Sequence, residues 1–483
     1  MRIKEDFKKS GYFWLPSAPE KKYPGTLSIS DGGIIDLEIV ELFESIGSDS
    51  ADQESVSWDI LNWEPVFRNR FKRIVGHIET GEVTLDDCRP NGGFIFPTGL
   101  SKSILRVGRA FMGVKYNKDE IPRFKTLIFS VDGINEWIGT NSNRSNPPNP
   151  NYPLVYQGKT ISFQHPEPIS FNLPNEMELS ITFSQKRSGS MNPREDKITQ
   201  RTYFKLVSQD EHELDEFVSI VEKIMNFLCF AMGDIVCVDN IEAASEDPPP
   251  FPRPRGDCEY DRIGLLPINI FFSSQLYSKD RYRTGFRTLF GFDRIQNDAA
   301  RVICNWINAH EEISPAFNLY FLATMGTQPS FEARFLTLMQ GLEAYHRRTS
   351  NEKQMDGTEF KELVENLVEQ CSKGKRNWLK GKLQYANELT LRNRIKRMIE
   401  PFVDIFGDEE KRRRLINRVI DTRNYLTHYD LSLESKASKG RDLEILCLKI
   451  EALFQLHFLQ LIGFSREEIN SIADRQLRRR LQF

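Results

Sequence analysis

The chain has 483 residues, 39% of them hydrophobic and 28% charged, enough apolar material for two or three domains with substantial cores. A net charge of -3 and a pI near 6.3 exclude a protein that coats nucleic acid over its whole surface, so any nucleic-acid site has to be a local patch. No uncharged apolar run reaches the roughly 18 residues of a membrane span, and "MRIKEDFKKSGYF" has no apolar signal core, so the cytoplasm is the expected location.

Residues 1–205 alternate apolar and polar positions in short runs such as "TLSIS", "IIDLEIV", "RIVGHIE", "TLIFSV" and "TYFKLVS". Period-two alternation cut by Gly, Asp, Asn and Pro predicts a β-rich domain of antiparallel strands. "GTNSNRSNPPNPNYP" (139–153) and "SQKRSGSMNPRED" (184–196) read as exposed loops within it.

Residues 206–325 read as a helical connecting region. Leu214, Phe217, Val218, Val221, Ile224, Met225 and Leu228 recur at helical spacing. The Pro-rich "SEDPPPFPRPRGD" (245–257) is extended, and a plain connection explains it better than a partner-recruiting motif. Helical character returns from Tyr282 to Leu322, with Trp306 and Phe317 as core anchors and His310 on the surface.

Residues 326–483 read as an all-α domain, which makes the whole chain an α+β multidomain protein. "FEARFLTLMQGLEAYHRR" carries Phe331, Phe335, Leu338, Leu342 and Tyr345 on one face. Further on, Asp408 is placed as N-cap of a helix whose first turn holds Glu409 and Glu410, and Leu415, Ile416, Val419, Ile420 and Leu426 form its apolar stripe. That helix ends in "RVIDTRNYLTHYD". Asn424 and His428, four apart, share a face, whereas Arg423 and His428 lie about 140° apart unless the helix distorts near Thr427. The final long helix, Arg441 to Phe464, is apolar on more than one face: Leu446, Ile450, Leu453 and His457 follow one stripe, and Ile445, Leu448, Leu456 and Leu459 spread onto others. Such breadth predicts a partner, taken here as a second copy of the chain.

Several chemistries lack support. The seven cysteines are scattered singly, and no two histidines lie three or four apart, so neither a disulfide framework nor a metal site is expected. Phosphate-binding glycine fingerprints are missing too, and no cofactor is assigned. The strongest charge signal is the basic run "SKGKRNWLKGKLQYANELTLRNRIKR". Lys375, Arg376, Lys380, Lys382, Arg394 and Arg397 are its candidate RNA contacts, Trp378 and Tyr385 candidate stacking residues, and Arg478, Arg479 and Arg480 a possible extension or a frayed tail. The alternative is a solvated face with Trp378 turned into the core.

A helix dipole alone accommodates an arginine and a histidine near a C-terminus. In its setting, however, Arg423-Asn424-Tyr425-Leu426-Thr427-His428 resembles the signature of HEPN-domain ribonucleases, and "GYFWLPSAPEKKYPGTLSISDGGIIDLEIV" (11–40) resembles the opening of ApeA-type anti-phage proteins. That resemblance implies a β-rich N-terminal region that senses a phage-derived trigger or restrains activity, followed by a C-terminal HEPN domain. It further implies a homodimer whose two motifs face one cleft, and a metal-independent endoribonuclease acting as a toxic effector by abortive infection, with tRNA as one candidate substrate. Arg423, Asn424 and His428 are then the catalytic residues. Glu343 is a supporting residue that either holds Arg423 or pairs with Arg347 at i+4. His346 and His457 are read as packing or surface residues. Two other classes stay open: a non-catalytic HEPN-fold binding module, and an interaction scaffold.

Overall fold

In the computed structural model the alternating N-terminal runs are strands of one antiparallel sheet. The structure describes residues 1–3, 7–40, 57–59, 64–66, 70–94, 102–139, 143–145, 161–163, 167–174, 176–189, 196–246, 267–273, 288–326 and 330–481. The strands begin with β1 (Phe7–Trp14), β2 (Tyr23–Ser30), β3 (Ile34–Val40), a separate ladder of β4 (Ser57–Asp59) with β5 (Glu64–Val66), β6 (Phe71–Ile78), β7 (Gly81–Phe94) and β8 (Lys102–Met112). Six of them run in the order β8-β3-β2-β1-β6-β7, and β7 returns to β8, closing a barrel. Closure removes the open edges that would otherwise invite pairing with another chain.

The barrel interior is the inward half of each alternating run: Phe13, Leu27, Ile29, Ile35, Leu37, Ile39, Ile74, Leu85 and Leu105 are buried together. Phe13 faces Gly76 across β1 and β6, and a Cβ at Gly76 would stand 2.5 Å from the Phe13 ring, so glycine makes the room that the ring fills. Arg73 is buried yet fully paired, donating through Nε and Nη2 to Asp86 at 2.7 Å each.

β8 is long enough to leave the barrel. Its first half pairs with β3, from Lys102↔Val40 to Val107↔Ile35, and its second half pairs on the same edge with β16 (Ile268–Phe272). From there a second set of strands continues in the order β16-β15-β9-β14-β13-β12: β9 (Arg123–Val131), β12 (Ile169–Asn172), β13 (Glu178–Gly189), β14 (Asp196–Glu213) and β15 (Val238–Ala244). β10 (Asn143–Ser145) and β11 (Ile161–Phe163) form a two-stranded antiparallel ladder of their own, from Asn143↔Phe163 to Ser145↔Ile161. Helices α1 (Ile134–Ile138) and α2 (Leu214–Met232) pack against this sheet; α2 starts on a capping box of Glu213 and Glu216 and buries Phe217, Val221, Ile224 and Leu228.

The chain divides into two compact units, Met1–Thr284 with Gly291–Ala300, and Gly285–Phe290 with Arg301–Phe483. The expected boundary at 205 falls inside β14, and 206–325 is no unit of its own: α2, β15, β16 and Gly291–Ala300 belong with the sheet, and the chain from Arg301 onward belongs with the helices. Part of the expected 184–196 loop is strand, since β13 runs to Gly189. The Pro-rich stretch, apart from its first two residues, and most of 139–153 lie outside the described residues.

The second unit is helical: α3 (Ala299–Thr324, its first two residues counted with the sheet), α4 (Phe331–Thr349), α5 (Gly357–Gln370), α6 (Arg376–Leu383), α7 (Leu391–Ile399), α8 (Val403–Phe406), α9 (Glu409–His428), α10 (Gly440–Leu461), α11 (Arg466–Ile472) and α12 (Arg478–Leu481). α10 is its axis, buried at every position from Ile450 to Leu459. Trp306, Phe317 and Tyr320 of α3 pack on Phe454 and Phe458, with Phe317 and Phe458 ring centroids 4.6 Å apart, and Phe321 packs on Trp306 and Phe317. α4 lies close because Gly341 faces the Phe454 ring, which a Cβ there would meet at 2.9 Å. The buried Glu451 is held by Arg334 at 2.6 Å and Arg480 at 3.1 Å, so α12 is tied to the core and Arg480 is not part of a frayed tail.

Two expectations change here. His310 is not simply on the surface: its ring stacks on Phe317 at 4.5 Å and meets Trp306 at 5.6 Å. More consequentially, Leu456 and Leu459, counted as surplus apolar surface on the last helix, are covered by the chain's own helices, while Ile445 is exposed and Leu448 half-buried. Breadth of the α10 apolar surface therefore no longer argues for a second copy.

Candidate active site

Local chemistry places α9 where the sequence predicts it. Asp408 accepts the Lys411 N–H at 2.8 Å, with Glu409 and Glu410 in the first turn. Leu415, Ile416, Val419, Thr422 and Leu426 are buried. Thr422 Oγ1 accepts the Ser438 N–H at 2.9 Å and draws the following connection back onto the helix. The helix stays regular through His428 and is capped by Tyr429 in the left-handed region, φ 52, whose N–H bonds to the Tyr425 carbonyl.

At this end Arg423 and Asn424 are half-buried and His428 is exposed. Arg423 Nη1 donates to Asn424 Oδ1 at 3.3 Å, and the Thr427 hydroxyl donates to the Arg423 carbonyl at 2.7 Å. Arg423 and Asn424 are thus brought together. His428 is not joined to either by a hydrogen bond among the described residues, because a regular helix keeps it about 140° around from Arg423. Just beyond, the Ser432 hydroxyl and N–H hold the Asp430 carboxyl below the usual carboxylate range, and nearby His428 adds to that shift.

Glu343 takes the alternative partner. It accepts from Arg347 Nε and Nη2 at 3.2 and 3.0 Å, and Arg347 also pairs with Glu388, so Glu343 belongs to a surface ion cluster and not to Arg423.

The basic run divides by burial. Arg394 is 5% exposed and donates to the Leu389 carbonyl, His346 Nδ1 and Glu388 at 3.0, 3.1 and 3.2 Å, so its guanidinium faces inward, away from any phosphate. Arg376 donates to the Cys371 and Glu369 carbonyls at 3.1 and 2.9 Å, satisfying the end of α5. Arg397 pairs with Glu352 and Glu400. Lys375, Lys380 and Lys382 are exposed, and Trp378 and Tyr385, at 63% and 68% exposure, stand among them instead of in the core. Of α5 only Val368 is buried, and of α6 nothing, so the two form a hairpin presented to solvent.

His346 and His457 are packing residues. Burial, and then Arg394, lower the His346 pKa, while His457 donates Nε2–H to the Met398 carbonyl at 2.9 Å and is pushed down to about 4 by burial. Sequence reasoning passed over Tyr425, Tyr429 and Lys439. Tyr425 stood only as spacer and Tyr429 fell one residue past the motif, although two tyrosines four apart on a helix end signal a shared face.

A helical unit with Arg-Asn-x-x-x-His closing one helix, behind an antiparallel β-rich unit, is the architecture of a HEPN protein. Residues 8–306 match the family model ApeA N-terminal domain 1, and residues 336–468 match the Apea-like HEPN model. The chain belongs to the ApeA family and is a HEPN effector of anti-phage defence. HEPN domains are generally ribonucleases that bind RNA and often dimerise. Neither the search of curated proteins nor that of solved structures found a match. Among the described residues no helix is long and apolar enough to cross a membrane.

Proposed function

We propose that the chain is a cytoplasmic endoribonuclease that halts infected cells by cutting RNA once its β-rich unit meets a phage-derived trigger. The observation that carries this reading is the end of α9, where an exposed imidazole, a half-buried guanidinium and an amide occupy the last turns of a helix whose opposite face is anchored in the core. RNA supplies its own nucleophile, the 2′-hydroxyl beside the scissile phosphate, so the reaction asks the protein for proton transfer and charge stabilisation and not for a metal-bound water. His428 exchanges the proton, with the 2′-oxygen forming a bond to phosphorus as the 5′-oxygen leaves, which yields a 2′,3′-cyclic phosphate. Arg423 stabilises the charge that accumulates on the phosphoryl oxygens, and Asn424, bonded to Arg423, orients it. The α5–α6 hairpin, with Lys375, Lys380 and Lys382 among Trp378 and Tyr385, holds the strand.

Separation of His428 from Arg423 within one chain favours a homodimer in which the arginine of one copy and the histidine of the other meet in a shared cleft. The test incubates purified protein with cellular RNA in EDTA and maps the new ends. His428→Ala, a substitution at an exposed helix end, is expected to keep the fold and lose about 100- to 10,000-fold in rate. A variant as active as its parent overturns the assignment.

A further inference from the structure

The residues next to His428 include two aromatic side chains that the reaction does not use. Tyr429 is 67% exposed although it directly follows the motif, and it holds a left-handed backbone, φ 52, that residues other than Gly, Asn and Asp adopt at a cost. Its ring stands against that of Tyr425, centroids 5.7 Å apart and planes at 64°. Tyr425 precedes His428 by three residues, so ring and imidazole are neighbours on the helix surface. Lys439 Nζ lies 5.4 Å from the Tyr425 ring centroid and is steadied by Glu434 at 2.7 Å. The core side of α9 is already filled by Leu415, Val419 and Leu426, so the tyrosine pair has no packing task there.

An exposed tyrosine set against a half-buried one and edged by a cation suits a flat π-surface followed by a phosphate, which is what an unpaired nucleotide presents. We propose that Tyr429, backed by Tyr425, stacks the base of a nucleotide adjoining the scissile phosphate while Lys439 meets its backbone, so that the site takes single-stranded RNA and excludes duplex. The inference rests on the reading of the α9 end as an RNA site.

The experiment uses the full chain and a 2′-O-methyl RNA oligonucleotide carrying 2-aminopurine, which cannot be cut and whose fluorescence falls on stacking. The parent and Tyr429→Phe are expected to quench it and bind alike. Tyr429→Ala, which removes an exposed ring, is expected to lose the quench and bind about 5- to 100-fold more weakly, as loss of one stacked base implies. The same oligonucleotide in a duplex is expected to compete poorly. Unaltered quenching by Tyr429→Ala, absence of quenching by the parent, or a Tyr429→Ala chain altered only in oligomeric state would each overturn the proposal, the last in favour of a protein contact. A parent that quenches without cutting ordinary RNA keeps the platform and sinks the ribonuclease reading; one that cuts without quenching does the reverse.

Discussion

Acidification should weaken the helical unit through His457, and the size of the effect can be worked from its surroundings. The imidazole sits between Tyr345 and Phe402, with ring centroids 5.1 and 4.9 Å away, and Nε2 is 2.9 Å from the Met398 carbonyl. A carbonyl can only accept, so Nε2 carries a proton, and the lowered pKa leaves the ring neutral at neutral pH, with Nδ1 unprotonated. Burial lowers its pKa from 6.5 to about 4; the Met398 bond opposes the shift, and the neighbouring His346 charge reinforces it. Because the folded pKa is the lower one, the unfolded chain takes up the proton first. The contribution is complete above the unfolded value of 6.5 and is lost as pH falls toward about 4. A difference of this size, at about 1.4 kcal/mol per pKa unit, amounts to about 3 kcal/mol. Urea unfolding of the full chain, followed by far-ultraviolet circular dichroism from neutral pH to pH 4, measures it against His457→Gln, whose amide can donate to the same carbonyl without titrating. His346 is present in both proteins, so only its coupling to His457 enters the difference. The parent should lose about 3 kcal/mol more than the variant over that range. Parallel pH profiles would refute the argument.

Three other outcomes are expected. Neutralising Lys380 and Lys382 to Gln should lower the slope of log affinity against log salt by about 1.4 in single-stranded RNA binding, at about 0.7 per cation, with no change in melting temperature; an unchanged slope makes the hairpin a merely solvated face. Thr422→Val leaves the buried Ser438 N–H without its acceptor and should cost about 1–3 kcal/mol in urea unfolding, with faster amide exchange at Ser438. If arginine and histidine meet across two chains, mixing inactive Arg423→Ala and His428→Ala chains should restore cleavage, because the heterodimer keeps one arginine and one histidine in the same pair; a protein monomeric by light scattering yet fully active would refute the shared cleft.

Much of the candidate site was legible because its signals are local. Asp408 as cap, the α9 stripe and the Arg423–Asn424–His428 spacing depend on residues within a few turns, and backbone geometry turns that spacing directly into position. The alternating runs likewise declared strands. What alternation left open was that β8 would pair with β3, β7 and β16 at once, because its length sets how far it extends while its neighbours are chosen by packing far away in sequence.

The basic run shows the limit most clearly. Composition counted Arg394 with Lys380, since both are cations in one segment; only the folded arrangement turned Arg394 toward His346 and Leu389 and left Lys380 in solvent. Glu343 offered two partners at sequence level, and the i+4 neighbour Arg347 took it. By itself, then, the sequence determined the period of each element, the end of α9 and the family to which the chain belongs. Tertiary structure decided which charges remain available and what covers α10, because periodicity measures how much apolar surface a helix has, and only the completed packing says whose atoms lie against it.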